Sequence, residues 1–221
     1  MKNIFSTFFG KKKSEPITQE VISDVDVIEN ENDFLSSPMF VGYNDINEQI
    51  LTYNSLLTFY TVNQSILDVG CGRGDLFVFM KERYEDVFLD SNYYGIDNNP
   101  IAIDTGINRY GLSNIHLKDF TNYRTIDKFN WVIASNYFLD VRDNEYDYLY
   151  NHVDKMYNLC NYAVAFNIIT EQANITYTDD IPPYSVYDPG EVLNHLLNTY
   201  RKVIVRADYL LGDSTFYIFK N

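Results

Sequence analysis

Three glycines with alternate spacing form the pattern in this sequence with the clearest chemical use. Gly70, Gly72 and Gly74 directly follow the run Leu67-Asp68-Val69. Glycine lets a backbone turn sharply and approach a ligand where a Cβ atom would collide. The residues from Asp75 onward are predicted to form a helix, whose first N–H groups and positive dipole end suit an anionic or carboxylate-bearing ligand. The pattern therefore predicts a binding turn between a strand and a helix.

The spacing of this turn discriminates between ligands. A dinucleotide-binding turn has glycine or alanine at the position that Asp75 occupies. We expect the Asp75 carboxylate to repel a pyrophosphate, which disfavours NAD, FAD and an NAD-dependent oxidoreductase. No Gly-Lys-Ser/Thr follows, so a nucleotide phosphate loop is not indicated either. A cofactor that has a carboxylate and a sulfonium but no phosphates fits better. Arg73, within the same turn, needs no role in binding, because a side chain directed to solvent is enough to explain it.

A second acidic position follows the next apolar run, Tyr94-Gly95-Ile96. Asp97 ends this run. A carboxylate at the carboxyl end of a strand near a glycine turn is a common acceptor for ribose hydroxyl groups. The alternative is that Asp97, in competition with Asn98 and Asn99, only caps the following helix.

Short apolar runs alternate with helical stretches from about residue 65, and this alternation must position the acids and glycines. It predicts βαβ units and an α/β fold: a doubly wound, mostly parallel sheet. The last two strands are separated only by Leu211–Ser214, so they are predicted to form a C-terminal antiparallel hairpin. Seven strands are predicted, at residues 65–69, 93–96, 115–117, 129–135, 163–169, 202–210 and 215–219. Helices are predicted at residues 45–62, 75–84, 100–110 and 144–159, with another opened by Asp188 and Pro189.

In order along the chain, these motifs resemble those of the class I S-adenosylmethionine-dependent methyltransferases. The glycine turn after Asp68 is similar to the first motif, Tyr94–Asp97 to the second, Lys118-Asp119-Phe120 to the third, and Phe129–Tyr137 to the fourth strand. The resemblance extends from about Ser65 to Asn221. It is greatest to small stand-alone members of bacteria and their viruses, many of which have no assigned substrate.

This resemblance implies a Rossmann-like, doubly wound, mostly parallel seven-stranded sheet and S-adenosyl-L-methionine (SAM) as the cofactor. By analogy with the family, Asp97 would bind the ribose and Asp119 the adenine amino group. The Phe120 ring would cover the adenine, although a core position explains Phe120 equally well. The predicted cofactor-binding residues are Asp68, Gly70, Gly72, Gly74, Asp97, Asp119 and Phe120.

Asn136 and Tyr137 are the candidate catalytic residues because they follow the fourth strand, where the methyl group should emerge. Asn136 could hydrogen-bond an acceptor amine or hydroxyl, and the Tyr137 ring could face the cationic sulfonium. The alternative is that Asn136 caps a turn and Tyr137 lies in the core. Methyl transfer depends strongly on orientation, so a dedicated base is not always needed.

The predicted function is methylation of a small molecule or a protein side chain, with the methyl acceptor unknown. A non-catalytic structural or assembly module is the main alternative. Asp180-Ile-Pro-Pro-Tyr184 imitates the Asp/Asn-Pro-Pro-Tyr motif of DNA amino-methyltransferases, but it follows the fifth strand instead of the fourth. We interpret it as a proline-fixed loop over the pocket, which disfavours a DNA methyltransferase.

Composition and charge bound the remaining possibilities. The 221 residues suit one domain, and a net charge of −14 disfavours duplex nucleic acid as a partner. No apolar run approaches 18 residues, so no transmembrane segment is predicted. Two cysteines and no signal peptide favour a cytoplasmic setting. The three histidines share no ligand spacing, so no metal site is predicted.

The first forty residues differ from the rest, and we predict an arm with an acidic linker at residues 1–40 and a methyltransferase-like domain at residues 41–221. Residues 1–13 combine four apolar side chains with Lys11, Lys12 and Lys13. This combination could dock on an anionic membrane surface or a partner. The alternative is an arm that packs on its own domain.

Overall fold

The computed structural model describes residues 35–173 and 184–221. The predicted arm and linker up to residue 34 lie outside the described residues, and so do residues 180–183 of the predicted loop. The proposed boundary at residue 40 falls within a short 3-10 helix, Pro38–Val41. Its division of the chain into arm and domain therefore stays a prediction.

The described residues contain a single seven-stranded sheet with the order β3-β2-β1-β4-β5-β7-β6. Strands β1 to β5 pair in parallel, and β7 pairs antiparallel with both β5 and β6. This confirms the predicted Rossmann-like doubly wound sheet with its C-terminal antiparallel hairpin. The strands are β1 (Ile66–Val69), β2 (Tyr93–Asp97), β3 (Ile115–Leu117), β4 (Phe129–Ala134), β5 (Cys160–Ile169), β6 (Val203–Arg206) and β7 (Asp213–Phe219).

The hairpin connection is longer than predicted. Strand β6 ends at Arg206 instead of residue 210, and β7 begins at Asp213. The reason is the register, which pairs Arg206 with Thr215. Residues 207–212 are therefore left to make the connection, where the side chain of Asp208 pairs with that of Arg206.

In the described part of the chain, five α-helices cover the two faces of the sheet, and three of them begin at a side-chain cap. Asp45, Asn99 and Asp188 each accept hydrogen bonds from backbone N–H groups of the first turn that follows. The helices are α1 (Ile46–Leu56), α2 (Asp75–Tyr84), α3 (Pro100–Tyr110), α4 (Glu145–Leu159) and α5 (Pro189–Thr199). Helix α1 ends at Leu56 and not at the predicted residue 62. Just after this end, the Thr58 hydroxyl donates to the Ser55 carbonyl. None of the helices within the described residues is long and apolar enough to cross a bilayer.

Alternation along β4 divides the core into two layers. Val132 and Ala134 face the layer that contains α4 and α5, whereas Trp131 and Ile133 face the layer that contains α1, α2 and α3. Strand β4 is thus buried on both faces, as expected for the centre of a parallel sheet. The carboxyl ends of β1 to β5 and the first residue of β7 meet at one edge of the sheet, which is where ligands bind in this class of fold.

Candidate functional site

A cavity of about 1190 Å³ opens at this edge of the sheet. It brings together eight of the nine residues that the sequence predicted for the site. They are Asp68, Gly70, Gly72, Asp97, Asp119, Phe120, Asn136 and Tyr137. The ninth, Gly74, does not line the cavity: a Cβ atom there would lie 2.5 Å from Leu112 Cδ1, so its missing side chain makes room for the core behind the turn.

The glycine turn approaches the cavity closely but offers it few donors. Gly70 has φ of +73°, and a Cβ atom there would lie 2.6 Å from the Tyr137 ring. The N–H groups of Gly70 and Cys71 both donate to the Ile96 carbonyl, at 2.9 and 3.0 Å. The Gly72 N–H donates to Asp97 Oδ2 at 2.9 Å. Three N–H groups of the turn are therefore already used within the protein.

The expectation that Arg73 points to solvent is wrong. Its side chain is 2% exposed, and Nη2 lies 2.9 Å from Asp75 Oδ2. Asp75 Oδ1 also accepts a hydrogen bond from the Tyr110 hydroxyl at 2.8 Å. Neither Arg73 nor Asp75 lines the cavity. The Asp75 carboxylate is thus neutralised behind the turn, and its repulsion of a pyrophosphate is not a valid reason to exclude dinucleotides.

Asp97 lies at the end of β2, and hydrogen bonds within the protein use part of the acceptor capacity of its carboxylate. Its Oδ1 accepts from the Asn99 N–H at 2.7 Å, and its Oδ2 accepts from the Gly72 N–H. The pKa of Asp97 is raised by burial, against which these backbone hydrogen bonds act. The Asn98 N–H acts on the same carboxylate. A carboxylate has about four acceptor positions, so about one remains for a ligand. Asn99 itself caps α3, so the helix-capping alternative for Asp97 is not needed.

Asp68 is 1% exposed and lines the same cavity. The Tyr93 hydroxyl donates to its Oδ2, whereas its Oδ1 has no hydrogen-bond partner among the described residues. Burial raises the pKa of Asp68 to about 7, although the bond from Tyr93 lowers it. A buried acceptor without a partner is costly, so this oxygen is suited to receive a donor from a ligand.

Asp119 and Phe120 form the wall after β3. Asp119 is exposed, and its two oxygens accept from the Thr121 N–H at 2.8 Å and from Asn122 Nδ2 at 3.1 Å. The hydrogen bond from the Thr121 backbone is the main cause that lowers the pKa of Asp119. Phe120 is buried and lies edge-on to the Tyr137 ring, with centroids 6.2 Å apart. It belongs to the core and to the cavity wall at once.

Asn136 and Tyr137 lie at the end of β4 as predicted, and both are held by the fold. The Asn136 side chain donates to the Gly42 carbonyl at 2.9 Å and accepts from Asn167 Nδ2 at 2.7 Å. The Tyr137 hydroxyl accepts from the Tyr148 hydroxyl at 2.9 Å. Burial raises the pKa of Tyr137 well above its usual range. Tyr137 therefore presents a neutral ring to the cavity, and Asn136 acts in part as a turn residue, with φ of +51°.

Sequence reasoning missed the chain before α1, which covers the glycine turn. Val41 lies against Gly72, where a Cβ atom would come within 2.9 Å of Val41 Cγ1. Tyr43 is buried, and its hydroxyl lies 2.5 Å from Ser135 Oγ. Arg73 donates to the Leu35 carbonyl, which fastens the start of this cover. Its one sequence signal was Pro38 followed by Gly42, which marks a tight turn.

A buried polar group on the far side of Asn136 was also missed. Asn167 Nδ2 lies 3.1 Å from each oxygen of Asp213, and Thr52 Oγ1 donates to Asp213 Oδ2 at 3.2 Å. Asp213 lines the cavity, whereas Asn167 supports it from β5. Within the described residues, no three His, Cys, Asp or Glu side chains group in a way that could hold a metal ion.

Known proteins resemble this chain in structure and not in sequence. No protein-family model and no curated protein matches the sequence. The DhpI–SAM–HEP complex is 13% identical and has a TM-score of 0.61, over 85% of this chain and 92% of that chain. The plantazolicin methyltransferase BpumL, in complex with a pentazolic desmethylPZN analog and SAH, is 11% identical with a TM-score of 0.59, over 87% and 92%.

A third similar structure is the magnesium protoporphyrin IX methyltransferase (ChlM) from Synechocystis PCC 6803 with bound SAM. It is 11% identical with a TM-score of 0.56, over 86% of this chain and 94% of that chain. At such low identity the likeness concerns the fold alone. The chain thus has the Rossmann-like fold of the SAM-dependent class I methyltransferases, as its motifs predicted.

Proposed function

We propose that this protein binds SAM and transfers its methyl group to a small molecule or a protein side chain. The observation that carries the proposal is a pair of carboxylates, Asp68 and Asp97, that line one cavity beside the glycine turn and keep acceptor positions that no described residue uses. Such a site needs a ligand that brings its own donors. SAM has three kinds: an ammonium, ribose hydroxyls and an adenine amino group.

The residues at the site fit these donors in number and position. Asp97 retains about one acceptor position for a ribose hydroxyl, and Asp119 retains acceptor positions at the exposed end of the cavity. Oδ1 of Asp68 can accept from the ammonium, which would relieve its buried, unpartnered state. The Phe120 ring provides an apolar wall next to Asp119 for the adenine.

The rest of the site would orient the acceptor and exclude water. When bound, SAM supplies an electrophilic methyl group on a sulfonium. The neutral Tyr137 ring borders the cavity at Gly70, where an aromatic face stabilises a cation. The cover formed by Val41, Gly42 and Tyr43 lies over the glycine turn and limits its access to solvent. Asn136, fixed by Gly42 and Asn167, places the end of β4 relative to that cover.

Other functions fit these contacts less well. A pyrophosphate needs backbone donors, yet the N–H groups of Gly70, Cys71 and Gly72 are bonded within the protein, which disfavours NAD. We also infer that duplex nucleic acid is not the acceptor, since the chain has a net charge of −14. A structural or assembly module of the same fold becomes the better proposal only if no adenosyl ligand binds.

Calorimetric titration tests this proposal directly. We expect SAM and S-adenosylhomocysteine (SAH) to bind and NADH not to bind. An Asp97→Asn variant should bind SAH more weakly by about 1.5–3 kcal/mol, about ten- to a hundredfold, because a charge-assisted hydrogen bond to the ribose is lost. Asp104→Asn is the matched control, since Asp104 is exposed on α3 and does not line the cavity.

Two results would contradict the proposal. Failure of both adenosyl ligands to bind a protein with a normal unfolding transition would favour the structural module. Unchanged SAH affinity in Asp97→Asn would remove Asp97 from the ribose site.

A further inference from the structure

The cavity continues past Asn136 towards α1 and β7, a region in which the sequence predicted no site residue. Here it is lined by Tyr43 and Thr52 on one side and by Ile169, Leu210 and Asp213 on the other. Because β7 runs antiparallel to its neighbours, its first residue lies at the same edge as the carboxyl ends of the parallel strands. That register, which pairs Ile169 with Asp213, places a carboxylate beside the end of β5, and Asn167 connects it to Asn136 at the end of β4.

Asp213 is a largely buried carboxylate, and all of its hydrogen-bond donors are neutral. They are the Asn167, Thr52 and Tyr209 side chains and the Ser214 backbone N–H. Among the described residues, no lysine, arginine or histidine pairs with it. Burial raises the pKa of Asp213 to about 6, so it is mostly ionised at neutral pH. A buried charge of this kind is normally paired, so the cavity side of Asp213 is suited to a cation.

The lining of the whole cavity is negatively charged, like Asp213. Among the described residues, six acidic side chains line the cavity: Glu48, Asp68, Asp97, Asp119, Asp140 and Asp213. Against them stand two basic side chains of the described lining: Arg142, which pairs with Asp140, and Lys118, which donates to the Tyr94 hydroxyl. Asp68, which we assign to the ammonium of SAM, adds to this negative lining, and its Oδ1 has no hydrogen-bond partner among the described residues.

We propose that Asp213 binds the nitrogen of the methyl acceptor and that the acceptor is a primary or secondary amine with an apolar body. This inference rests on the proposed methyl transfer and names its substrate class. Ile169 and Leu210 provide apolar surface next to the carboxylate. A carboxylate acceptor would be repelled by the acidic lining, and an alcohol would leave Asp213 without a cation.

The charge balance of the reaction agrees with an amine. The alkylammonium bound at Asp213 first releases one proton to water. The lone pair of the resulting neutral amine forms the new bond to the methyl carbon, the carbon–sulfur bond breaks, and its electron pair stays on sulfur. The positive charge therefore moves from sulfur to nitrogen, and the alkylammonium product later releases its extra proton to water. A carboxylate beside the nitrogen stabilises the charge that develops there.

Matched probes test the inference by calorimetry, with and without saturating SAH. Hexylamine, 1-hexanol and hexanoate share one carbon chain and differ in the head group. We expect hexylamine to bind at least about tenfold more tightly than the other two. Nα-acetyl-lysine amide, titrated in parallel, distinguishes a free amine from a lysine side chain as the source of the nitrogen.

Substitution then assigns the effect to Asp213. Asp213→Asn should weaken hexylamine binding about tenfold or more and leave both 1-hexanol and SAH affinity unchanged. Asp208→Asn, in the same connection but exposed, paired with Arg206 and outside the cavity, removes the same charge and should change nothing.

The outcomes separate this inference from the proposed function. Failure of SAH to bind counts against the proposed function, whereas the comparison of hexylamine binding between the parent and Asp213→Asn still reports on Asp213. Equal binding of hexylamine and hexanol, tighter binding of hexanoate, absence of amine binding at millimolar concentration, or full amine affinity in Asp213→Asn would each overturn the inference. The head-group comparison uses the parent protein, so it decides even if the variant fails to fold.

Discussion

At the scale of single residues, the site depends on carboxylates that the fold leaves incompletely solvated. Asp68 is the clearest case, because its side chain is 1% exposed and Tyr93 serves only one of its two oxygens. Burial raises its pKa to about 7, and Asp213 is shifted in the same direction for the same reason. Both carboxylates are therefore harder to ionise than they would be in water. A bound cation would favour their ionised state.

This has a consequence for the pH dependence of stability. The pKa of Asp68 is about 7 in the folded protein and 3.8 for the unperturbed group, so between these values the folded state binds more protons. The stability that the Asp68 carboxyl contributes is fully present below its unfolded pKa and is lost as the pH rises through its folded pKa of about 7. Asp68→Asn cannot titrate and keeps an acceptor for Tyr93. We expect its stability relative to the parent to rise by on the order of 2 kcal/mol from about pH 5 to about pH 8.

Thermal unfolding of parent and variant at the two pH values measures this difference. The exposed substitution Asp104→Asn serves as the control and should show no such change. A stability difference between Asp68→Asn and the parent that stays constant with pH would mean that Asp68 does not titrate in this range.

At the scale of elements, the glycine turn is held in place from behind by α3. A Cβ atom at Gly106 would lie 2.2 Å from the Arg73 carbonyl oxygen, a backbone atom of the turn. Helix and turn are thus in direct backbone contact, and one of them must move if a side chain is added. The buried pair of Arg73 and Asp75 and the bond from Tyr110 on α3 reinforce the same junction.

Gly106→Ala should therefore weaken both stability and ligand binding. Alanine raises helix propensity by about 1 kcal/mol, but we expect a net loss of about 1–3 kcal/mol from overpacking. The turn should shift, so SAH affinity should fall as well. Gly111→Ala is the matched control: it has φ of +67° and no atom within 4 Å of the added Cβ, so only backbone strain of about 1 kcal/mol is expected.

Urea unfolding and SAH titration of both variants measure these effects. Gly111→Ala should bind SAH like the parent. If Gly106→Ala did so too, the contact with α3 would not position the turn.

At the scale of the whole molecule, local patterns predicted the sheet and its cofactor side. The strands β1 to β5 and the acids at their ends follow from alternation and from residues near each strand end, which are properties of short segments. Asp213 and Tyr43 could not be found in this way, because their place depends on contacts across the chain. Asp213 reaches the site through its pairing with Ile169, and Tyr43 through its contact with Ser135.

The errors at the glycine turn have a similar cause. The local sequence does not reveal that Arg73 is buried against Asp75 and the Leu35 carbonyl, since Leu35 lies far away in sequence. A charged residue in a turn is usually exposed, and here a distant segment covers it. The unpredicted half of the site is thus the half built from sequence-distant segments.

The same long-range order makes the end of the chain essential to the fold. Strand β7 is the last element in sequence, yet it lies between β5 and β6 in the sheet. Phe216, Tyr217 and Ile218 are completely buried, and Tyr217 donates to the Ser55 carbonyl of α1. Without β7, β5 would expose a long unpaired edge and β6 would lose its partner within the sheet.

Removal of residues 213–221 should therefore prevent folding of the whole domain and not only of its last hairpin. Three buried side chains at about 1.5–3 kcal/mol each already approach the usual total stability of about 5–15 kcal/mol. We expect the truncated protein to lose its near-UV circular dichroism and its cooperative thermal transition. Removal of the exposed Asn221 alone should change neither. A cooperative transition in the shorter protein would mean that strands β1 to β5 form an independent folding unit, with Asp213 and the amine site added to it as a separate layer of function.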